Sequence, residues 1–293
     1  MRIFLGAGFQ PAEHLLEVAR AADGHGFDGL ALPDHLASPA VVDTDYPGTA
    51  DGSVPWKIDV TPWPEPLVAL SAVAACTRLE LMTHVYILPL HHPLFVAKSV
   101  GTLGSLFPGR FHFGVGVGWM AEEFALVGEE FRTRGRRTDE AIEILRTVWT
   151  RKPASYNGRR YAFDPIDMAP TPPVPPSILV GGHSDAAYAR AARLGDGYIA
   201  MPATLAQYRD EILPRVRAAL AEHGRSLEGF HVNAILSEPA DVAALAELAA
   251  LGVASVQVHP FDRQAAMEAP LDEKVAAIGA FARDVLEPFR AQV

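Results

Sequence analysis

The chain has 293 residues, 49% of them hydrophobic and 20% charged, which suits a globular enzyme with enough length to bury a large core. Its formal net charge of -10 argues against nucleic acid or an anionic membrane as the main partner. A small anionic ligand stays compatible with that charge, because a few arginines and backbone N–H groups can hold one locally. Cys76 is the single cysteine, which excludes an internal disulfide and a cysteine-rich metal site. Within "LSAVAACTRL" it reads as a small buried residue rather than a nucleophile. No run reaches about 18 uninterrupted apolar residues, and "MRIFLGAGFQ" is too short for a secretory signal, so a cytoplasmic protein without a membrane span is expected.

Strand and helix signals alternate along the chain. "RIFLGAG" reads as a first strand, and "EHLLEVARAADGHG" as a helix with a glycine stop. "FDGLALPDH" is a second strand, followed by an irregular segment at about 36–64 that carries Trp56 and Trp63. A loop of that length without its own structure is usually functional or disordered. "PLVALSAVAACT" is a helix, "LELMTHVYILP" the third strand, "PLFVAKSVGTLGSLFPG" a helix with a proline entry and a glycine exit, and "RFHFGVGVG" the fourth strand. Helix "RTDEAIEILRTVWT" precedes a second insertion at about 151–176. Strands "SILVGG", "GYIAMP", "FHVNAILS" and "ASVQVHP", each with its helix, complete eight units. Such alternation predicts an α/β fold with a parallel sheet, and eight units predict one closed (β/α)8 TIM barrel over 1–293, with both insertions at the C-terminal face of the strands.

"FHFGVGVGWMAEEF" places Gly114, Gly116 and Gly118 at alternate positions on the fourth strand. A dinucleotide fingerprint needs a different spacing at the first strand, so the Rossmann reading is poor. Glycines at a barrel strand's end let a flat ligand approach the backbone, or else they relieve crowding in the barrel core. Strand 5 delivers Gly181, Gly182, His183 and Ser184 at a helix start, which favours a phosphate; a plain serine N-cap would look the same. Asp34 and His35, at the end of strand 2, form the best acid–base pair, with His35 as proton carrier and Asp34 orienting it. His91 and His92 invite a metal reading, but the first strand ends in "GAGF" without a ligand, and no metal site is expected. Arg132, Arg134, Arg136 and Arg137 read as tying a loop to the next helix, with the grip on a polyanionic cofactor tail as the alternative.

The segments "PDH", "LELMTHVYILPLHHPLFVAKSVGTL", "PGRFHFGVGVGWMAEEFALVG", "RGRRTDEAIEILRTVWT" and "ILVGGHSDAAYARAARLGDGY" resemble the luciferase-like monooxygenase superfamily, and within it the branch of coenzyme F420-dependent oxidoreductases. The resemblance runs from the N-terminus to about Pro202, and the last third is generic barrel. It implies a (β/α)8 fold with a flavin or deazaflavin ring in the mouth and its phosphate near strand 5. By resemblance, Asp34 and His35 contact the ring, His84 and Val85 form a turn behind it that is often a non-proline cis peptide, Gly116 and Gly118 border it, and Gly181, Gly182 and His183 hold the phosphate, next to Ser184 at the helix start. His84 departs from the small residue of many relatives. Trp119 replaces the catalytic acid of the sugar-phosphate dehydrogenases, leaving Glu122 as a substitute one turn on.

The resulting expectation is hydride transfer between F420 and a small hydrophobic substrate, with Trp56, Trp63 and Trp119 as an apolar pocket wall. One rival is an FMNH2-dependent two-component monooxygenase, and another a non-catalytic F420 or flavin carrier. A separate flavin or F420 reductase is the expected source of reduced cofactor. Relatives often pair through helices flanking strands 2 and 3, and "PLVALSAVAACT" is apolar enough to serve in a homodimer, though a core-facing helix would look the same.

Overall fold

The computed structural model describes residues 1–56 and 60–292; residues 57–59 of the first insertion lie outside them. Eight parallel strands form the predicted barrel: β1 (Arg2–Gly6), β2 (Gly29–Leu32), β3 (Glu80–Thr83), β4 (Phe111–Gly116), β5 (Ser177–Gly181), β6 (Gly197–Ile199), β7 (His231–Ile235) and β8 (Ser255–Val258). Their order is β3-β2-β1-β8-β7-β6-β5-β4, and pairing of Leu81 with Phe111 and Met82 with His112 closes the ring. The principal outer helices are α1 (Leu15–Gly24), α2 (Pro66–Cys76), α3 (Pro93–Leu106), α4 (Arg134–Thr150), α5 (Asp185–Leu194), α6 (Leu213–Glu222), α7 (Val242–Ala250) and α8 (Leu271–Phe281).

Local chemistry sets the helix ends. In α1 the buried residues Leu15, Val18, Ala19 and Ala22 recur at the helical period, and the chain leaves the helix through Gly26 at φ +80. The Glu65 carboxylate accepts from the Val68 amide ahead of α2, and His92 accepts from Leu94 ahead of α3; each helix then opens on proline, whose missing N–H costs nothing there. The indole of Trp149 on α4 donates to the Ala97 carbonyl on α3 at 3.0 Å, which satisfies its polar edge inside the helix interface.

Three stretches differ from the sequence reading. The third strand is not one run: β3 stops at Thr83, the His84–Val85 peptide is cis, and Tyr86–Ile87 resumes pairing with Val115 and Gly116. The second insertion contains an antiparallel hairpin, Ala154–Asn157 with Ala162–Ile166. A short helix, Arg263–Glu268, stands between β8 and α8. Each is a local feature on which strand–helix alternation is silent.

The barrel interior is divided by chemistry. Phe4, Ala31, Met82, Leu179 and Ile199 form one apolar layer, with Val85 packed on it from above. Val85 also explains two glycines. A Cβ at Gly116 would lie 2.5 Å from one Val85 methyl, and a Cβ at Gly181 2.7 Å from the other. Gly114 answers to the core instead, since a Cβ there would lie 2.0 Å from the Thr83 carbonyl oxygen. So Gly116 on β4 and Gly181 on β5 admit the turn after β3.

The barrel floor is charged. Glu80 accepts from Arg2 at 2.6 Å and meets His112 Nε2 at 2.8 Å, and the other His112 nitrogen contacts Ser177 at 2.8 Å. His231 contacts Arg2 at 3.3 Å and Ser255 at 2.6 Å. Burial first, then the charges of His112 and Arg2, push the His231 pKa down to about 3.

Two outcomes follow from this packing. Gly116→Ala should lower stability by about 1–3 kcal/mol through the clash with Val85, and Val85→Ala in the same chain should recover most of it, read from chemical melts of the three variants. His231 is neutral when folded but takes a proton near 6.5 when unfolded. Acid therefore favours unfolding, and this stability, present above 6.5, is lost as pH falls toward 3. The melting temperature should drop steadily below about pH 6.5, with His231→Gln removing about 2 kcal/mol of the loss by about pH 4.5.

Candidate active site

The strand tips that the sequence singles out converge on one mouth. Asp34, 7% exposed, accepts from the Ile87 amide at 2.8 Å, which locks the β2 tip to the turn carrying Val85. His91 Nε2 lies 3.8 Å from the same carboxylate, buried and without a hydrogen-bond partner. Its ring stacks on Tyr86 at 4.5 Å. Burial, with Asp34 and Glu65 adding negative charge, raises the Tyr86 pKa and keeps its hydroxyl protonated.

His35 is oriented by a different carboxylate from the one expected. Asp34 is spent on Ile87, and His35 Nδ1 instead meets Glu123 Oε2 at 3.0 Å. Glu123 Oε1 accepts from Leu36 at 2.7 Å and from Ala37 at 3.4 Å. A residue next to histidine in sequence points to the opposite side of an extended chain, so spatial pairing passed to Glu123, 88 positions away. The acidic pair in "MAEEF" is the available signal, and it is the second member, Glu123, rather than the expected Glu122, that meets His35. Glu122 is committed to the insertion: it accepts from Asp43 at 2.9 Å and from the Thr44 amide at 3.1 Å and hydroxyl at 2.9 Å. Both glutamates belong to the short helix Ala121–Leu126, which fastens the first insertion over the mouth.

Aromatic rings enclose His35. Trp63, Trp56 and Trp119 lie 4.7, 5.8 and 6.0 Å from its imidazole, and Phe9 and Tyr46 complete the cluster around the tryptophans. The three tryptophans are legible in the sequence, whereas Phe9, which holds a left-handed φ of 65 at the tip of β1, and Tyr46 carry no local signal. His35 Nε2 makes no hydrogen bond among the described residues.

Across Val85 the mouth offers a second group of side chains. His84 and Val85 are half-buried between fully enclosed Thr83 and Tyr86, so they floor the recess. His84 Nε2 meets Asn233 at 2.9 Å, and burial pushes its pKa down to about 4. Further round, Gly182 (φ 137) turns the chain into α5, where exposed His183 and Ser184 stand at the helix start and Ser184 accepts from Ala187. Tyr198 donates to the Gly182 carbonyl and braces that turn. Gly118 (φ 75) is fixed by Arg134, which donates to its carbonyl at 3.2 Å, and buried Arg137 pairs with Glu129 at 2.7 Å. These two arginines tie the β4 loop to α4. Among the described residues, no group of three or more histidine, cysteine, aspartate or glutamate side chains is arranged to hold a metal.

The donor set suits a planar heterocycle with a phosphate. The floor is flat because two glycines admit Val85 without protruding side chains of their own, and the β5–α5 turn presents backbone at a helix N-terminus. Residues 3–280 match the family model described as luciferase-like monooxygenase. The uncharacterized protein Rv0940c of Mycobacterium tuberculosis (strain ATCC 25618 / H37Rv) is 34% identical over 278 residues, which cover 92% of this chain and 94% of that one. An F420-dependent glucose-6-phosphate dehydrogenase of Nakamurella multipartita is 31% identical over 225 residues, covering 75% of this chain and 61% of the relative. The fold also matches a solved F420-dependent secondary alcohol dehydrogenase, in complex with an F420-acetone adduct, with a TM-score of 0.76 at 16% identity over 97% of this chain and 98% of that one. No helix among the described residues is long and apolar enough to cross a membrane. Matched along nearly its whole length, the chain belongs to the luciferase-like monooxygenase family and is an enzyme of that oxidoreductase class.

Proposed function

We propose that the enzyme transfers a hydride between coenzyme F420 and a small, hydrophobic organic substrate. The observation that carries this reading is His35: an imidazole held at Nδ1 by a buried carboxylate, its Nε2 unengaged, inside a wall of tryptophans at the barrel mouth. Relatedness to an F420-dependent dehydrogenase over three quarters of the chain supports the deazaflavin over FMN. Asp34, His84, Val85, Gly116 and Gly118 would surround the ring, with Gly181, Gly182, His183 and Ser184 at its phosphate. When bound, F420 supplies a ring carbon, C5, that gives or takes a hydride.

The chain's own part is proton handling and exclusion of water. The oxygens of Glu123 face N–H groups, so His35 carries its proton on Nδ1 and keeps Nε2 as the base. Nε2 takes the hydroxyl proton from an alcohol, or returns it to a carbonyl oxygen in the reverse direction. Trp56, Trp63 and Trp119 keep water from the reacting atoms and strengthen the electrostatics there.

The second reading, oxygen insertion with reduced FMN from a partner reductase, draws on the family's monooxygenase description. Membership of an enzyme family leaves the carrier reading without support. Fluorescence titration of the protein with F420 and FMN side by side decides between the ligands: tight binding of F420 and weak binding of FMN are expected, and the reverse preference overturns the proposal. Turnover should persist without oxygen.

His35→Ala should lower kcat by about 100-fold or more while F420 affinity changes little. Glu123→Gln can keep its carbonyl on Leu36 and turn its NH2 toward Nδ1, which moves the His35 proton to Nε2. The loss expected is about 10²–10³ in kcat with F420 binding retained; wild-type turnover in this variant would remove Glu123 from the catalytic arrangement.

A further inference from the structure

Across Val85 from Glu123, the mouth is lined mainly by uncharged side chains. Asn233 and Ser255 are fully buried; Asn233 donates to Ser255 at 2.7 Å and its carbonyl meets His84 Nε2 at 2.9 Å. The column continues through His231 to Arg2 on the barrel floor, so His84 is braced from below. Beside it, Gln257 Nε2 lies 3.0 Å from His259 Nε2. Both side chains fold over the tip of β1, where a Cβ at Gly6 would come within 2.3 Å of His259 and 2.6 Å of Gln257. Gln257 is 9% exposed, and its Oε1 is buried without a hydrogen-bond partner. Leaving such an oxygen unpaired costs about 1–3 kcal/mol, which a ligand N–H or O–H would offset.

We propose that Gln257, His84 and His259, braced by Asn233, form an uncharged hydrogen-bonding subsite that takes a neutral hydroxyl, carbonyl or amide group and rejects phosphorylated or carboxylated ones. The inference deepens the reading of this mouth as the active site and rests on it. The groups facing the two imidazoles are Asn233 and the His84 backbone on one side, and Gln257 and Arg263 on the other. Arg263 is the cation in that set, and its guanidinium is taken up by the Pro55 carbonyl at 3.3 Å and the Phe9 ring at 5.6 Å. Burial pushes the His84 pKa down to about 4, so its imidazole is neutral at neutral pH, while His259 stands exposed at the rim. The orphaned Gln257 Oε1 needs a donor, which a hydroxyl or amide N–H supplies at little cost, whereas a carboxylate or phosphate dianion would set its own lone pairs against it. The neutral group has two sources: a hydroxyl, carbonyl or amide of a substrate remote from its reacting carbon, or the amide edge of a bound heterocycle.

The test uses the full chain labelled with 15N in its imidazoles. At neutral pH, acetamide should shift the His84 and His259 signals saturably, and inorganic phosphate at the same concentration should leave them unchanged. Gln257→Leu should weaken acetamide about tenfold. Asn233→Asp sets a carboxylate against His84 Nε2, so its titration midpoint should rise from about 4 to about 7, and phosphate should then perturb it below that pH. Phosphate shifting the wild-type imidazoles, a wild-type His84 midpoint near 6.5, or no response to acetamide would each overturn the subsite. Repeating the titration with F420 or FMN bound separates the sources: loss of the acetamide response assigns the cofactor edge, and its persistence assigns the substrate. Failure of both cofactors to bind sinks the functional reading alone, because the imidazole signals report on the protein without them.

Discussion

A buried carboxylate organises this mouth. Glu123 is 1% exposed, and removing its charge from water costs several kcal/mol unless donors surround it. Three do: His35 Nδ1 and the Leu36 and Ala37 amides. The same contacts bind the tip of β2 and the root of the first insertion to the helix that follows β4. The neighbouring Glu122 repeats the arrangement further along the insertion, at Asp43 and Thr44. Satisfying Glu123 therefore fixes the imidazole, the tryptophan wall and the loop above them together.

The two sides of the recess obey different electrostatics. Around Asp34, Glu65, His91, His35 and Glu123 the protein concentrates charge and proton carriers, and burial together with the negative Asp34 and Glu65 holds the Tyr86 hydroxyl in its protonated form. Across Val85, burial strips the charge from His84 and leaves amides to make the contacts. Val85 stands at the boundary, admitted by Gly116 and Gly181 and resting on the apolar layer of the barrel. A hydride transfer benefits from such a division, since a proton must reach one atom of the substrate while the hydride moves without competition from water.

The barrel itself says little about which redox partner enters. A closed parallel sheet delivers eight tips to one rim whatever the chemistry, and a flavin and a deazaflavin share ring plane and phosphate. Specificity must lie in side chains on the tips and in the insertions. The choice of Glu123 as partner for His35, of neutral groups beside His84, and of Trp119 after the β4 glycines are features of this kind.

Alternating strand and helix periods, together with proline entries and glycine exits, determined the (β/α)8 architecture from sequence, because each signal depends on residues close together in the chain. The tips were legible for the same reason: Asp34, His35, Gly116 and Gly182 each end a recognisable strand. Pairings across the mouth were not. Nothing local tells whether Asp34 or Glu123 reaches His35, whether Glu122 meets a ligand or the Thr44 amide, or that Gly116 and Gly181 make room for Val85. Those contacts join positions tens of residues apart, and only closure of the barrel, which sets the angle and height of every tip, decided them.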